Sequence, residues 1–185
     1  MDEPRMTQRR GWNDTIEQRP HIHPPRSLAE VVCTGLTVAA LVALLTMTAY
    51  WWSSLPAIVP THFGANGLPN GYGSKLSLLL LPCLLLALTL LFALLARFPW
   101  AFNYPVVITA QNAERQYRRG RTALAVVNAA SALTFTIIQW QTIQVARGAA
   151  TGLGPAFSQG AIIIFAVLVP IVVIALIAWW VTHSE

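Results

Sequence analysis

Residues 28–50, LAEVVCTGLTVAALVALLTMTAY, decide the fold. Over this stretch only Glu30, at its beginning, carries a charge, and a helix of about 20 apolar residues is what the hydrocarbon core of a bilayer requires. Reading outward, three more runs of this kind follow: Leu76–Ala96, Thr122–Val145 and Phe157–Val181. A chain of 185 residues with 55% hydrophobic and 10% charged residues is too apolar for an ordinary water-soluble domain. The sequence predicts an all-α integral membrane protein with four transmembrane helices. Residues 27–182 form the membrane domain.

The net charge of +5 raises the question of nucleic acid, and the placement of the charges answers it. Arg5, Arg9, Arg10, Arg19 and Arg26 precede the first run. Lys75 stands alone in the next loop, Arg97, Arg115, Arg118, Arg119 and Arg121 lie in the one after, and Arg147 stands alone before the fourth run. This alternation is the positive-inside pattern, with both termini and the loop 97–121 in the cytoplasm and the loop 53–75 outside. Arginines placed in this way meet anionic headgroups or a cytoplasmic partner. No aromatic-interleaved basic surface marks a nucleic-acid reader.

Cys33 and Cys83 fall inside spans, without metal-ligand spacing, and read as reduced packing residues. The first run is too long for the core of a cleavable signal and reads as an uncleaved anchor. The tail 1–26, with Pro20, Pro24 and Pro25, reads as disordered or surface-lying; His21 and His23 have nothing beside them to complete a metal site. No cofactor is called for.

Within the spans, Ser27 suits an N-cap with Glu30 in the first turn. Gly35, Ala39 and Ala43 recur every four residues, a stripe that admits a close neighbour and, in a homo-oligomer, a second copy. Tyr50, Trp51 and Trp52 mark the outer interface, and Arg97, Pro99 and Trp100 the inner one. The second run is nearly pure leucine, as befits a lipid-facing helix, and carries Pro82 near its start. In the third, Asn128, Ser131, Gln139 and Thr142 share one helical arc. Amides are costly in lipid, so this arc faces other helices as hydrogen-bonding glue or lines a polar pocket. Pro170 predicts a kink in the fourth run. A deep carboxylate, the usual mark of ion-coupled transport, is missing from the spans, and Glu30 sits too near the boundary to serve.

The outer loop, Ser53–Lys75, reads SSLPAIVPTHFGANGLPNGYGSK. Asn66-Gly67 and Asn70-Gly71 are turn signals, and Ile58, Val59, Phe63, Leu68 and Tyr72 argue for a hairpin or compact loop packed on the bundle. His62 is read either as a ligand contact or as a ring filling the loop's own core and bonding backbone. Thr61, His62 and Ser74 do not make a hydrolase, so the chain reads as non-enzymatic. In the inner loop Thr109 is the expected cap of a helix running through Arg118 into the third span, with Glu114 and Arg118 paired at i, i+4.

Leu55-Pro56, Ile58 to Phe63 (IVPTHF), Gly67, Pro69, Gly71-Tyr72-Gly73 and Ser74-Lys75 resemble the signature of the prokaryotic membrane family called domain of unknown function 1648. The stretch Asn103 to Arg121 is similar to that family's segment ahead of its third helix. Gly64, Asn70 and Gln111 depart from the residues common there. The resemblance implies a multi-pass protein of the prokaryotic inner membrane, related to the SdpI-type immunity proteins. It implies recognition of an envelope-active peptide or toxin outside by Pro60, Thr61, His62, Phe63 and Lys75. Inside, Asn112, Arg115, Arg118, Arg119 and Arg121 would meet a regulatory protein. The other expectation is a small permease or channel component that uses the polar arc of the third helix.

Overall fold

The computed structural model describes residues 18–154. The fourth apolar run with Pro170, and Arg5, Arg9 and Arg10 of the tail, lie outside the described residues. Helix α1 spans Leu28–Trp51, strands β1 and β2 span Ile58–Phe63 and Pro69–Ser74, helix α2 spans Leu80–Leu95, and helix α3 spans Ala113–Ala146. Among the described residues three segments are long and apolar enough to cross a membrane: Leu28–Ser54, Lys75–Leu95 and Ala113–Ala146. The chain is a mainly helical membrane protein. The two-stranded sheet amends the all-α expectation.

Ser27 caps α1, its hydroxyl accepting from the Glu30 N–H at 3.0 Å. Helix α3 begins at Ala113 rather than at Thr109. Asn112 explains the difference. Its side chain accepts from the Thr109 N–H at 2.9 Å and donates to Val107 O at 2.9 Å, so the chain ahead of α3 is held as a turn. At the far end Gly148, at φ 73°, terminates α3. The Ala149 N–H reaches Gln144 O and the Gly148 N–H reaches Val145 O, the paired bonds of a left-handed helix stop.

Helix α3 is the central element, with α1 and α2 packed on it more extensively than on each other. The core is built in three tiers along it. Ala40, Leu44, Leu85 and Ala132 form the middle tier. Leu55, Val59, Leu78 and Ile143 join the bundle to the hairpin. Tyr104, Ala113 and Tyr117 form the tier at the arginine-rich end. Helix α2 turns Leu80, Leu84, Leu86, Leu90 and Leu94 outward, as its composition predicted. Gly35, Ala39 and Ala43 of α1 are exposed, so neither α2 nor α3 is the close neighbour their stripe would admit, and Glu30, Thr37, Ala40, Leu44 and Thr48 form the buried face.

Pro82, at the third position of α2, lacks the N–H that Leu78 O would otherwise accept. Gln139 takes its place. Its Nε2 donates to Leu78 O at 2.8 Å and to Thr48 Oγ1 at 2.9 Å, tying α1, the start of α2 and α3 together in a buried site. Asn128 receives the Thr89 hydroxyl at 3.4 Å. Ser131 and Thr142 bond carbonyls of their own helix, Val127 O and Ile138 O. Two of the four arc residues therefore act between helices. Thr136, outside the predicted set, adds a third contact at 3.3 Å to Ala40 O.

Candidate functional site

Two constructed surfaces stand at opposite ends of the bundle. At the hairpin end β1 and β2 pair antiparallel, Ile58 opposite Ser74 and Phe63 opposite Pro69. The turn is closed by Gly67 N–H to Gly64 O at 2.8 Å, with Gly67 at φ 75° and Asn66 at negative φ. Asn70-Gly71, expected as a second turn, lies inside β2. A register shift between Pro60 and His62 breaks the alternation of the strand. As a result Val59 and Pro60 are both buried, while their neighbours Thr61 and His62 are both exposed.

His62 Nδ1 lies 2.5 Å from Asn70 Oδ1 across the hairpin. The ring is on the surface and bonds a side chain, so neither a core-filling nor a backbone-bonded histidine describes it. Gly71 and Gly73 lie under it: a Cβ at Gly71 would stand 2.9 Å from His62 Cβ, and one at Gly73 would stand 3.0 Å from Thr61 Cγ2. The glycines leave Thr61 and His62 seated flat on β2. Ile58, Leu68 and Tyr72 are the exposed large apolar side chains of the hairpin region, at 64%, 49% and 63%.

This hairpin is pinned to the bundle. The Leu153 N–H donates to Gly67 O at 2.8 Å, and a Cβ on Gly67 would meet Leu153 O at 2.6 Å. The two cations of this end are turned onto indoles. Arg147 stacks 3.3 Å from the Trp51 ring centre, and Lys75 lies 5.0 Å from that of Trp52 while donating to Trp52 O at 3.4 Å. Of the five residues expected to form the outer recognition surface, Thr61 and His62 are exposed, Phe63 and Lys75 are half-buried, and Pro60 is inside.

The opposite end is built from charge. Residues 18–26 are not a loose tail here; they lie across the helix ends as a strap. Arg19 Nη1 donates to Trp100 O at 2.9 Å and to Phe102 O at 2.7 Å. The Tyr117 hydroxyl donates to Pro20 O at 3.0 Å, and Arg121 Nη1 donates to Pro24 O at 2.9 Å. His21 stacks on Trp100 at 4.7 Å. Beneath the strap the Tyr104 hydroxyl donates to Pro99 O at 2.8 Å. Burial, and then the neighbouring Tyr117, push the Tyr104 phenol well above its ordinary pKa, against a smaller opposing effect of Arg19.

Glu30, discounted on sequence, is the centre of this end. It is 6% exposed, and Arg121 Nη2 donates to its Oε1 at 2.6 Å. Its second oxygen has no hydrogen-bond partner. Arg26 Nε stands at 4.0 Å. A cavity of about 320 Å³ opens beside the pair, between α1, α2 and α3. Arg26, Arg97 and Arg121 line it together with Glu30, and Asn128 closes its deeper part. Of the expected inner contact residues, Arg121 is turned inward and Asn112 is committed to its turn. Arg115 is exposed, and Arg118 is partly exposed with Glu114 at 2.5 Å. Arg119 is half-buried. The Glu30–Arg121 pair was legible only as two charges at opposite ends of a 91-residue separation, one early in the first span and one just ahead of the third.

The hairpin also lies inside the stretch that matches a protein family. An uncharacterized protein of Archaeoglobus fulgidus is 37% identical over 93 residues, which is 46% of this chain and 50% of the relative. The chain thus spans about half the length of the curated relative it matches. No solved structure matches. The family match covers the second half of α1, the whole hairpin and the start of α2, and does not extend to the Asn103–Arg121 stretch. Residues 39–86 of this chain match the family described as domain of unknown function DUF1648.

Proposed function

We propose that this is a non-enzymatic, multi-pass protein of a prokaryotic inner membrane that recognises an envelope-active peptide at its hairpin end, in the manner of SdpI-type immunity proteins. The arginine-rich end faces the cytoplasm in this reading. One observation carries it: the hairpin exposes Ile58, Thr61, His62, Leu68 and Tyr72, none of them Asp, Glu, Lys or Arg, and is tied to the loop after α3 by the Gly67–Leu153 bond. Exposed apolar and polar side chains on the two faces of a tied-down hairpin suit the capture of an amphipathic chain.

The test is protection of a sensitive host. Cells producing the protein are challenged with a panel of membrane-active peptides, beside cells producing His62→Ala with Tyr72→Ala at equal membrane levels. The expected result is protection against at least one peptide that the double variant loses. Equal sensitivity of all three strains, with and without the protein, would sink the idea.

The permease reading draws on a different observation, the cavity that reaches Asn128 from the arginine-rich end. Against it, the Gln139 amide nitrogen is committed to holding three segments together. Flux of a labelled solute into proteoliposomes separates the two.

A further inference from the structure

The cavity beside Glu30 is composed unlike the rest of the bundle. Three arginines line it from three separate segments: Arg26 just ahead of α1, Arg97 just beyond α2, and Arg121 in α3. One carboxylate, Glu30, opposes them, so positive charge is in excess around an open cleft between the helices. Its volume of about 320 Å³ far exceeds the ~10–15 Å³ that a single water needs. A multi-atom ligand fits.

The character of the wall changes with depth. The mouth is cationic. Thr34, Thr89 and Asn128 follow, and Thr89 and Asn128 are joined by only a long 3.4 Å bond that a better partner can displace. Phe92 and Leu124 supply apolar wall, and the leucines Leu86, Leu90 and Leu94 of α2 are exposed on the lipid-facing side of the same helix. Arg97 lies at the end of α2 close to Trp100, at the level where such residues mark a membrane interface. A soluble anion would use the arginines and leave the rest of this gradient unused. A ligand with a phosphodiester, hydroxyl donors and acyl chains uses all of it.

We propose that this cavity binds the headgroup of an anionic glycerophospholipid, of the phosphatidylglycerol type, from the adjacent leaflet. Arg26 and Arg97 contact the phosphate oxygens, and Arg121, held in place by Glu30 and by Pro24 O, forms the inner wall of the anion site. The glycerol hydroxyls and ester carbonyls lie toward Thr34, Thr89 and Asn128. Basic pockets between transmembrane helices are suited to phospholipid headgroups on these grounds. The inference stands apart from the hairpin reading, because it concerns the other end of the molecule.

The experiment uses the full chain in mild detergent and follows lipid retention by native mass spectrometry. Dioleoylphosphatidylglycerol and dioleoylphosphatidylcholine are compared, and glycerol 3-phosphate serves as the soluble competitor. Wild type retains the anionic lipid preferentially. Arg26→Ala with Arg97→Ala lowers that retention by about thirtyfold, at roughly five- to sixfold per cation. The paired control, Arg115→Ala with Arg118→Ala, lies on the same end outside the cavity and leaves retention as in wild type. Melting of each variant in phosphatidylcholine nanodiscs confirms an intact fold. Equal retention of the two lipids overturns the proposal, as does an equal loss in the control pair. Glycerol 3-phosphate competing as well as the lipid at equal concentration overturns the lipid assignment.

Discussion

The hairpin end and the arginine-rich end both hold cations close to the protein, and they do so by opposite means. At the hairpin end Arg147 and Lys75 rest on the faces of Trp51 and Trp52, and the backbone itself, Leu153 N–H to Gly67 O, locks the two loops together. At the other end Arg19 and Arg121 are fixed by carbonyl oxygens and by Glu30. The first arrangement costs little to disturb at any side chain, because its rigidity comes from glycine backbone. The second concentrates its rigidity in a few charged groups that become liabilities once a partner is lost.

Glu30→Ala gives the largest effect that follows from this contrast. It leaves Arg121 buried without its carboxylate, a loss of about 3–5 kcal/mol. Thermal unfolding in nanodiscs measures it, and Glu30→Leu with Arg121→Met recovers most of the loss. A small effect of Glu30→Ala would remove the distinction between the two ends.

Gly67→Ala strikes the backbone latch instead. The left-handed φ alone costs roughly 1–2 kcal/mol, and the methyl meets Leu153 O. Hydrogen exchange is expected to rise over residues 64–68 and 150–153 while the strap at 18–26 keeps its protection. Spread of the change to the strap would mean that the ends are coupled.

Gln139→Leu sharpens the comparison from between them. With Leu78 O left unmet, the expected cost is about 1–3 kcal/mol. In a Pro82→Ala background the restored N–H supplies the missing donor, so the same substitution costs less by about 1 kcal/mol. Additive losses in that double-mutant cycle would show that Gln139 does not stand in for the proline.

Arg147→Ala has the smallest expected effect, about 0.5–1 kcal/mol for an exposed cation–π contact, read as a slight fall in melting temperature.

The first three spans were legible because length and composition determine them, and Ser27 as a cap and the hairpin around Gly67 were legible because local chemistry determines those. The orientation of each helix was not. In water a helix buries its apolar side, but in lipid the outward side is apolar too, so periodicity loses its direction. Helix α1 illustrates this: Gly35, Ala39 and Ala43 have the spacing for a close neighbour, and the face turned to the other described helices is a different one, carrying Thr37, Leu44 and Thr48. Gln139 was legible as glue but its targets were not, since Leu78 O became available only through the placement of Pro82. The site at the arginine-rich end was least legible of all. Glu30 lies near a boundary where a carboxylate ordinarily meets water, and only the fold puts Arg121 against it. The bulge that exposes both Thr61 and His62 is likewise a matter of pairing register rather than of sequence pattern.

The stacking of Lys75 and Arg147 on indole rings has one more consequence. An indole ring neutralises nothing, so both positive charges stay at this end, and neither loop 53–75 nor residues 147–154 carry a carboxylate to offset them. Anionic visitors should therefore arrive faster than neutral ones, with an advantage that fades between dilute buffer and brine. Selection at that surface begins with attraction before contact and is completed by fit after it.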